Sequence, residues 1–284
     1  MSTAFSTLPD LILEPMVRAA LMEDLGQNGD ITTRAVIPAD ATYSARIRAR
    51  KAGTVSGMQI ARIAFHLVDA GLKVETLLAD GSVCQPGDVL MTIEGAASLI
   101  LSGERVALNF AGRLTGIATL TAAFVAETKG TATRITCTRK TTPGLRIAEK
   151  QSVLHGGGFN HRFGLSDAIL IKDNHIAAAG GVRQVLEAAK ASVSHMMKVE
   201  IEVDTLDQLS EVLECGGADV VLLDNMDTAT LIKAVALAKG HVQTEASGNM
   251  KLERIAEVAA TGVDYISAGA LTHSARTLDL GLDF

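Results

Sequence analysis

The sequence predicts an α/β protein made of a small α+β unit followed by a (β/α) barrel, complete or open. Three observations predict this class. Residues 42–95 have the alternation and turn residues of short strands, residues from 131 onward repeat a strand-then-helix pattern, and polar or glycine positions recur where the late strands end. Regular alternation of strands and helices is typical of a parallel sheet with helical crossovers.

The N-terminal unit is predicted from short strands around one helix. Residues 42–57 alternate before they break at glycines, and residues 81–95 place a Pro86-Gly87-Asp88 turn between two apolar runs, which is a hairpin signal. Residues 59–71 have helical spacing, with Gly71 as the predicted end. Residues 102–130 then predict one or two helices.

The barrel is predicted from repeated units. The predicted strands are 131–138, 167–171, 197–203, 218–224, 241–246 and 263–268, and the predicted helices are 182–191, 206–217, 228–240 and 252–262. Gly216, Gly240 and Gly262 stand where left-handed helix ends are needed, and Thr205 with Gln208 fits a capping box. Chemistry in such barrels gathers at the carboxyl ends of the strands.

Composition excludes several classes of function. The net charge is −6 and aromatic residues are 3% with no Trp, which argues against a nucleic-acid binder. The three cysteines are scattered without a Cys-x-x-Cys pair, so a reducing cytoplasm is expected. We predict no signal peptide and no membrane span, because residues 1–15 lack a basic start and no run approaches 18 apolar residues.

A cluster of cations is predicted at the barrel mouth. Arg139 and Lys140 close one strand, His161 and Arg162 follow a glycine loop, and Lys172 closes the next strand. Each alone could be a solvated surface charge. As a set in an acidic protein, they indicate a small, strongly anionic ligand that carries carboxylates or phosphates.

Acids alternate along the neighbouring strand. Lys198, Glu200 and Glu202 share one face, and Asp224 ends the next apolar run. The alternatives are a solvent-facing edge strand for the first group and a helix N-cap for Asp224. If the acids line the mouth, Glu202 and Asp224 could hold Mg²⁺ or ribose hydroxyls.

Small residues end the last two predicted strands. Tight turns use glycine in any case, but small residues also let backbone N–H groups approach a phosphate. The candidate phosphate loops are Ser247, Gly248, Asn249 and Ala268, Gly269, Ala270, with His273 nearby.

Nine segments along nearly the whole chain are distinctive: EDLG (23–26), GDITT (29–33), GERVALNF (103–110), TRKTTPGLR (138–146), GGGFNHRFGLSDAILIKDNH (156–175), VEIEVDTLDQL (199–209), LLDN (222–225), EASGN (245–249) and ISAGALTHS (266–274). Together they resemble the quinolinate phosphoribosyltransferase family (nicotinate-nucleotide pyrophosphorylase, carboxylating). The chain departs from the family pattern at Cys137, where Asp is frequent, and at His155, where Cys is common.

The resemblance implies an N-terminal α/β sandwich-like domain over residues 1–113 and an open (β/α) barrel over 114–284, whose C-terminal tail could return to the first domain. It implies a cytoplasmic enzyme that joins quinolinate to the ribose of PRPP, forming nicotinate mononucleotide, pyrophosphate and CO₂ in NAD biosynthesis. It also implies Mg²⁺ with PRPP, no organic cofactor, and a homodimer or larger homo-oligomer in which Arg105 reaches the partner's site.

Residue roles follow by resemblance alone. Catalytic roles are expected for Lys140, Lys172, Glu202 and Asp224, with Glu202 and Asp224 at the metal. Substrate contacts are expected for Arg105, Thr138, Arg139, Lys140, His161, Arg162 and Lys172, for Glu202 and Asp224, and for the phosphate loops Ser247, Gly248, Asn249, Ala268, Gly269 and Ala270 with His273. Of these, Arg105, Arg139, His161, Arg162 and Lys172 form the dicarboxylate pocket.

Three other functions were weighed. A divergent family branch of molybdate-uptake operons acts on a different pyridine-like or unknown substrate, but the intact TTPGLR and NHR segments favour the quinolinate enzyme. A Schiff-base aldolase could use Lys172, although neighbouring arginines suit carboxylate binding equally well. QPGDVLMTIEG (85–95) resembles lipoyl- and biotin-carrier hairpins but contains no lysine.

Overall fold

The computed structural model describes residues 7–284, and residues 1–6, on which part of the signal-peptide prediction rests, lie outside it. The chain forms two compact units. Unit 1 contains Met1–Ala122, Thr141–Gly157 and Leu271–Phe284, and unit 2 contains Ala123–Lys140 and Gly158–Ala270. The predicted domain division at residue 113 stays a prediction.

The strands are, in chain order, β1 (Thr42–Ala49), β2 (Gly53–Thr54), β3 (Lys73–Thr76), β4 (Val83–Cys84), β5 (Val89–Ala96), β6 (Arg134–Thr136), β7 (Ile169–Ile171), β8 (Val199–Val203), β9 (Val220–Asp224), β10 (Gln243–Ser247), β11 (Tyr265–Ser267) and β12 (Leu280–Asp283). The helices are α1 (Asp10–Leu25), α2 (Ile31–Val36), α3 (Met58–Val68), α4 (Ala97–Glu127), α5 (Arg146–His155), α6 (Asp173–Ala179), α7 (Val182–Ser192), α8 (Leu206–Cys215), α9 (Thr228–Ala238), α10 (Leu252–Ala259) and α11 (Ala270–His273).

Unit 1 is built on an antiparallel sheet in the order β12-β1-β5-β3, with β2 and β4 paired separately. The chain's last strand returns to this sheet, where Asp283 lies opposite Arg46. Helices α1 and α3 pack together, and Leu13, Ile47, Phe65 and Leu90 are fully buried in the common core.

Two predictions in unit 1 were wrong in detail. The turn at Pro86-Gly87-Asp88 forms, with the Asp88 N–H donating to Gln85 O at 3.1 Å, but it does not make a hairpin. Strand β4 has only two residues and pairs with β2, whereas β5 pairs along its length with β1 and β3. Helix α3 ends at Val68 rather than Gly71, because Asp69 leaves the helix and accepts the Gly71 N–H.

Helix α4 runs unbroken for 31 residues. By length and composition it is long and apolar enough to cross a membrane, although no uninterrupted apolar run in the sequence predicts a span. Most of its apolar stretch is buried inside the protein, as Ile100, Ala107, Ala111 and Leu114 illustrate. A core helix with buried small and branched residues explains its composition without a membrane.

Unit 2 contains a parallel sheet in the order β6-β11-β10-β9-β8-β7. Among the described residues the end strands β6 and β7 do not pair with each other, so the barrel is open. The predicted α/β class with parallel barrel strands is therefore confirmed. All six strands fall inside predicted segments or within one residue of them.

Local signals place the helices of unit 2. Thr205 and Gln208 form the predicted capping box, with the Gln208 N–H donating to Thr205 Oγ1 at 3.2 Å. Gly216, Gly240 and Gly262 follow three helices with φ of 62°, 82° and 85°, which glycine adopts without a Cβ penalty. These glycines lead into the loops that enter β9, β10 and β11 at their amino ends, whereas Thr205 follows the carboxyl end of β8.

Candidate active site

One face of the unit 2 sheet carries acids and the other carries apolar residues. Val199, Ile201 and Val203 are buried on one side, and Glu200 and Glu202 alternate onto the other. Strand β8 lies between β7 and β9, and Glu200 is buried, so the solvent-facing edge-strand alternative is wrong.

The strand register brings the acids together. Glu202 lies beside Leu222, and Asp224 lies beside Ser247. Because positions two apart on a strand share a face, Glu202, Asp224 and Ser247 share the polar face. The polar residues predicted at neighbouring strand ends are therefore adjacent.

Lys172 reaches the same edge. Its Nζ lies 2.6 Å from Glu202 Oε2, with a half-exposed Lys172 side chain and a nearly buried Glu202. The backbone N–H of Lys172 donates to His175 Nδ1 at 2.9 Å, at the start of α6. A predicted cation and a predicted acid thus meet as an ion pair.

The surroundings of Asp224 destabilise its ionised carboxylate. Burial raises the pKa of its carboxyl, and the neighbouring Asp204 raises it further, while Lys172 and Lys140 lower it. The helix N-cap alternative is wrong, because Asp227 caps α9 by accepting the Thr230 N–H at 2.8 Å. A destabilised carboxylate beside a second acid suits a bound divalent cation.

The loop after Gly158 runs beside the end of β6. The Phe159 N–H donates to Ile135 O at 2.8 Å, and the Cys137 N–H donates to Phe159 O at 3.2 Å. This pairing delivers His161 and Arg162 near the residues that follow β6. Sequence spacing predicted a common edge but not this extra parallel contact.

Arg162 and Arg139 form the cationic part of the site. Burial lowers the pKa of Arg162, Arg139 lowers it further, and Glu200 and Asp167 oppose that effect. Arg162 donates through Nη1 to Ala168 O at 3.1 Å, while its buried Nε has no hydrogen-bond acceptor among the described residues. A partly buried guanidinium close to a second guanidinium suits a ligand with more than one carboxylate.

His161 sits between two buried acids. Its Nε2 lies 2.9 Å from Glu200 Oε2 and 3.7 Å from Glu245 Oε1. The Arg162 N–H donates to His161 Nδ1 at 2.8 Å, so Nδ1 carries the lone pair and Nε2 carries the proton. This geometry favours a neutral imidazole, unlike the cation expected from sequence.

Glu200 and Glu245 were not assigned roles from sequence. They lie two positions before Glu202 and Ser247, so strand alternation was the signal that could have placed them on the polar face. The ligand atoms of His161, Glu200 and Glu245 lie within 4.8 Å of one another. Since Nε2 donates to Glu200, the group is better described as an internal hydrogen-bonded cluster than as a metal centre.

The turn after β10 is tightly constrained. Gly248 has φ of 93°, and a Cβ there would lie 2.1 Å from Asn225 Oδ1. The Asn225 N–H donates to Ser247 O at 3.0 Å, and Asn249 adopts φ of 49°. In the turn after β11, the Ala268 N–H instead donates to Thr136 O at 3.0 Å, on the neighbouring strand β6.

The remaining predicted site residues are distributed between the units. Thr138 accepts the Lys140 N–H at 3.1 Å in unit 2, where Gly269 and Ala270 follow β11. Arg105 lies on α4 and His273 ends α11, both in unit 1. These two remain predicted members of the site.

Two family models match consecutive parts of the chain. Residues 30–115 match the model for the quinolinate phosphoribosyl transferase N-terminal domain, and residues 117–283 match that for its C-terminal domain. The chain belongs to the quinolinate phosphoribosyltransferase family.

Relatives of this family member match over almost their full length. A probable nicotinate-nucleotide pyrophosphorylase (carboxylating) of Bacillus subtilis is 40% identical, covering 96% of this chain and 93% of the relative. The nicotinate-nucleotide pyrophosphorylase (carboxylating) of Mycobacterium leprae is 42% identical, covering 94% and 95%. The solved nicotinate-nucleotide pyrophosphorylase from Francisella tularensis is 36% identical, with a TM-score of 0.91 and 98% of each chain covered.

Proposed function

We propose that this quinolinate phosphoribosyltransferase family member transfers the 5-phosphoribosyl group of PRPP to quinolinate and releases CO₂. The products are nicotinate mononucleotide and pyrophosphate, in the de novo synthesis of NAD. The observation that carries the proposal is the polar edge of unit 2, where Arg139 and Arg162 stand near one another and Lys172 meets Glu202. Family membership then identifies the dicarboxylate and the phosphoribosyl donor.

Quinolinate carries two carboxylates and is proposed to bind the cations at this edge of unit 2. Arg162 is partly desolvated and faces a second guanidinium, so two carboxylates would relieve repulsion as well as add hydrogen bonds. Lys172 completes the cationic set from the neighbouring strand. His161, as a neutral donor to Glu200, would shape the pocket rather than supply charge.

Mg²⁺ is proposed to accompany PRPP, held by Glu202 and Asp224. The raised pKa of Asp224 supports this fit, because a divalent cation would stabilise its desolvated carboxylate against Asp204. When bound, the ion would neutralise charge on the pyrophosphate. No organic cofactor is proposed, since the chemistry proceeds through the substrates' own groups.

The reaction follows from orientation and electrostatics. The pyridine nitrogen attacks C1 of the ribose as the bond to pyrophosphate breaks, and Lys140 stabilises the charge on the departing oxygen. The acids Glu202 and Asp224 stabilise positive charge on the sugar. The 2-carboxylate then leaves as CO₂, its electron pair remaining on the ring carbon beside the cationic nitrogen until a proton is taken up.

We further propose a cytoplasmic homodimer or larger homo-oligomer in which Arg105 completes the partner's quinolinate pocket. The scattered positions of Cys84, Cys137 and Cys215, with no Cys-x-x-Cys pair, support a reducing compartment. Ser247, Gly248 and Asn249 are proposed to bind the 5-phosphate with the loop after β11 and His273.

One assay tests the function. Purified protein with Mg²⁺, PRPP and quinolinate should form nicotinate mononucleotide and CO₂ in equal amounts, and omission of PRPP should abolish both. Nicotinate in place of quinolinate should give little product, because one carboxylate is missing. Equal turnover of nicotinate, or no turnover of quinolinate, would contradict the proposal.

A further inference from the structure

A buried ion pair in unit 1 lies outside all the site residues considered so far. Glu149 on α5 is fully buried, and Arg113 on α4 is mostly buried. Arg113 Nε and Nη2 lie 3.2 and 2.9 Å from Glu149 Oε1. An ion pair with this burial stays favourable only if the remaining polar atoms are also satisfied.

The other donors to Glu149 come from the loop that follows Lys140. The Thr142 N–H donates to Glu149 Oε2 at 3.0 Å, and Thr142 Oγ1 donates to Oε1 at 2.7 Å. Arg146 then binds Thr141 Oγ1 through Nε at 2.9 Å. Side chains within unit 1 therefore hold the TTPGLR segment in addition to the backbone hydrogen bond from the Leu145 N–H to Thr142 O at 3.0 Å.

The remaining donors of Arg113 go to a second loop. Nη1 donates to Ala275 O at 3.0 Å, and Nη2 donates to Thr272 O. A guanidinium has five N–H groups in a fixed plane, so a single Arg can hold the carboxylate and both carbonyls at once. Lysine could not reproduce this geometry.

Both loops continue directly into predicted site residues. Thr142 comes two residues after Lys140, and Thr272 comes two residues after Ala270. These loops leave the carboxyl ends of β6 and β11, which are neighbours in the parallel sheet with Arg134 beside Tyr265. One ion pair thus ties together the two chain segments that follow adjacent strands.

We propose that Arg113 and Glu149 are positioning residues that jointly fix the Lys140 loop and the loop after Ala270 for phosphoribosyl transfer. The catalytic part of this inference rests on the proposed function. Neither residue is among the predicted substrate contacts. Together they hold the backbone at Thr142, two residues after Lys140, so their loss would misplace groups that must align with the reacting atoms.

Two variants test the proposal, one that alters the buried carboxylate and one that removes a single hydroxyl group bound to it. Glu149→Gln keeps the side-chain size but turns one carboxylate oxygen into a donor, so a donor of Arg113 or Thr142 must face another donor. Thr142→Val keeps the ion pair and removes only the hydroxyl contact, so it should fold even if Glu149→Gln does not. Glu14→Gln is the matched control, because Glu14 pairs with Arg18 at 2.6 Å on the exposed surface of α1.

Kinetics are measured well below the unfolding temperature of each variant. Glu149→Gln should lower kcat/KM about 100-fold, the scale of a small misplacement of reacting groups. Thr142→Val should lower it about tenfold, as expected for one lost hydrogen bond to a charged group. Glu14→Gln should match the wild type. A purely structural role would lower the unfolding temperature and leave the kinetics of the folded enzyme unchanged.

Hydrogen exchange provides a readout that does not need turnover. In Glu149→Gln, amides in residues 140–145 and 270–276 should both exchange faster, while both segments keep wild-type protection in Glu14→Gln. Unchanged exchange in either segment, or wild-type kcat/KM in both test variants, overturns the inference. An inactive wild type overturns only the proposed function, and the exchange experiment then still decides whether the pair couples the loops.

Discussion

Lys172 and Glu202 face each other across strands β7 and β8, with Lys172 Nζ 2.6 Å from Glu202 Oε2. A cation predicted to bind substrate is thus paired in the free protein with an acid predicted to be catalytic. If Lys172 binds quinolinate as proposed, quinolinate competes with Glu202 for this ammonium group. Because the Lys172 side chain is half exposed, solvent screens the ion pair and its contribution to stability is small.

Replacement of the acid should separate binding from catalysis. In Glu202→Gln, Lys172 loses its counter-charge, and quinolinate should bind about threefold more tightly, in line with a weak, partly exposed ion pair. Turnover should fall about 100-fold, because an electrostatic contact in the transition state is lost. Calorimetric titration with quinolinate and steady-state rates measure the two effects.

The control is a similar ion pair formed by the residues just before β8 and β9. Lys198 and Asp219 are also 2.6 Å apart but are more exposed, and neither is a predicted site residue. Lys198→Gln should therefore leave quinolinate affinity and turnover unchanged. Weaker quinolinate binding in Glu202→Gln would contradict the competition between substrate and acid.

Asp224 should make stability depend on pH. The pKa of its carboxyl is raised above the ordinary value of 3.8 by burial and by Asp204, so the folded protein takes up a proton more readily than the unfolded chain. Stability from this group is therefore lost as the pH rises from the ordinary pKa through the raised one. At neutral pH the ionised side chain destabilises the fold.

Asp224→Asn tests this sign. The variant should unfold about 1–2 °C higher than the wild type at pH 7, a small change because the group is partly solvated. At pH 3 the two proteins should unfold at the same temperature. A lower unfolding temperature for Asp224→Asn at pH 7 would show that the carboxylate is stabilising in the free protein.

The sheet of unit 2 could be predicted from sequence because the apolar runs of its strands and the start and end signals of its helices indicated the same order of elements. Buried parallel strands give apolar runs, their helices end at glycine, and Thr205 with Gln208 marks a helix start. The β4–β5 hairpin prediction was wrong for the opposite reason. Its turn residues are local, but whether a two-residue strand pairs with its neighbour depends on distant partners.

The site was predictable only where it follows strand ends. Glu202, Asp224 and Lys172 were placed correctly on one sheet edge by strand alternation and register. The contact of His161 with Glu200 spans 39 positions and that of Arg113 with Glu149 spans 36, in each case between separate elements. No periodic pattern links such residues, so side-chain networks of this kind emerge only from the fold.

His161 should be neutral with its proton on Nε2. This follows because the Arg162 N–H donates to Nδ1 and Glu200 accepts from Nε2. Nitrogen NMR of labelled protein at pH 7 should show one protonated nitrogen and one bare nitrogen for this ring. In Glu200→Gln the side-chain oxygen can still accept from Nε2, so the same tautomer is expected. Two protonated nitrogens in the wild type would identify a cation instead and restore His161 to the charged set.

Gly248 should be required for a steric reason in addition to its positive φ. Alanine there would carry φ of 93° and place its Cβ 2.1 Å from Asn225 Oδ1, which displaces the side chain that donates to Asp224, a predicted catalytic acid. Gly262 has a similar φ of 85°, but the nearest atom to its Cβ would be 3.8 Å away. Both alanine variants should lose about 1 kcal/mol of folding stability from backbone strain.

Only Gly248→Ala should also raise the KM for PRPP, by about tenfold, if the turn binds the 5-phosphate through a correctly placed backbone. Thermal unfolding and PRPP titrations of the two variants measure this difference, and equal KM values would remove the turn at Gly248 from the phosphate site.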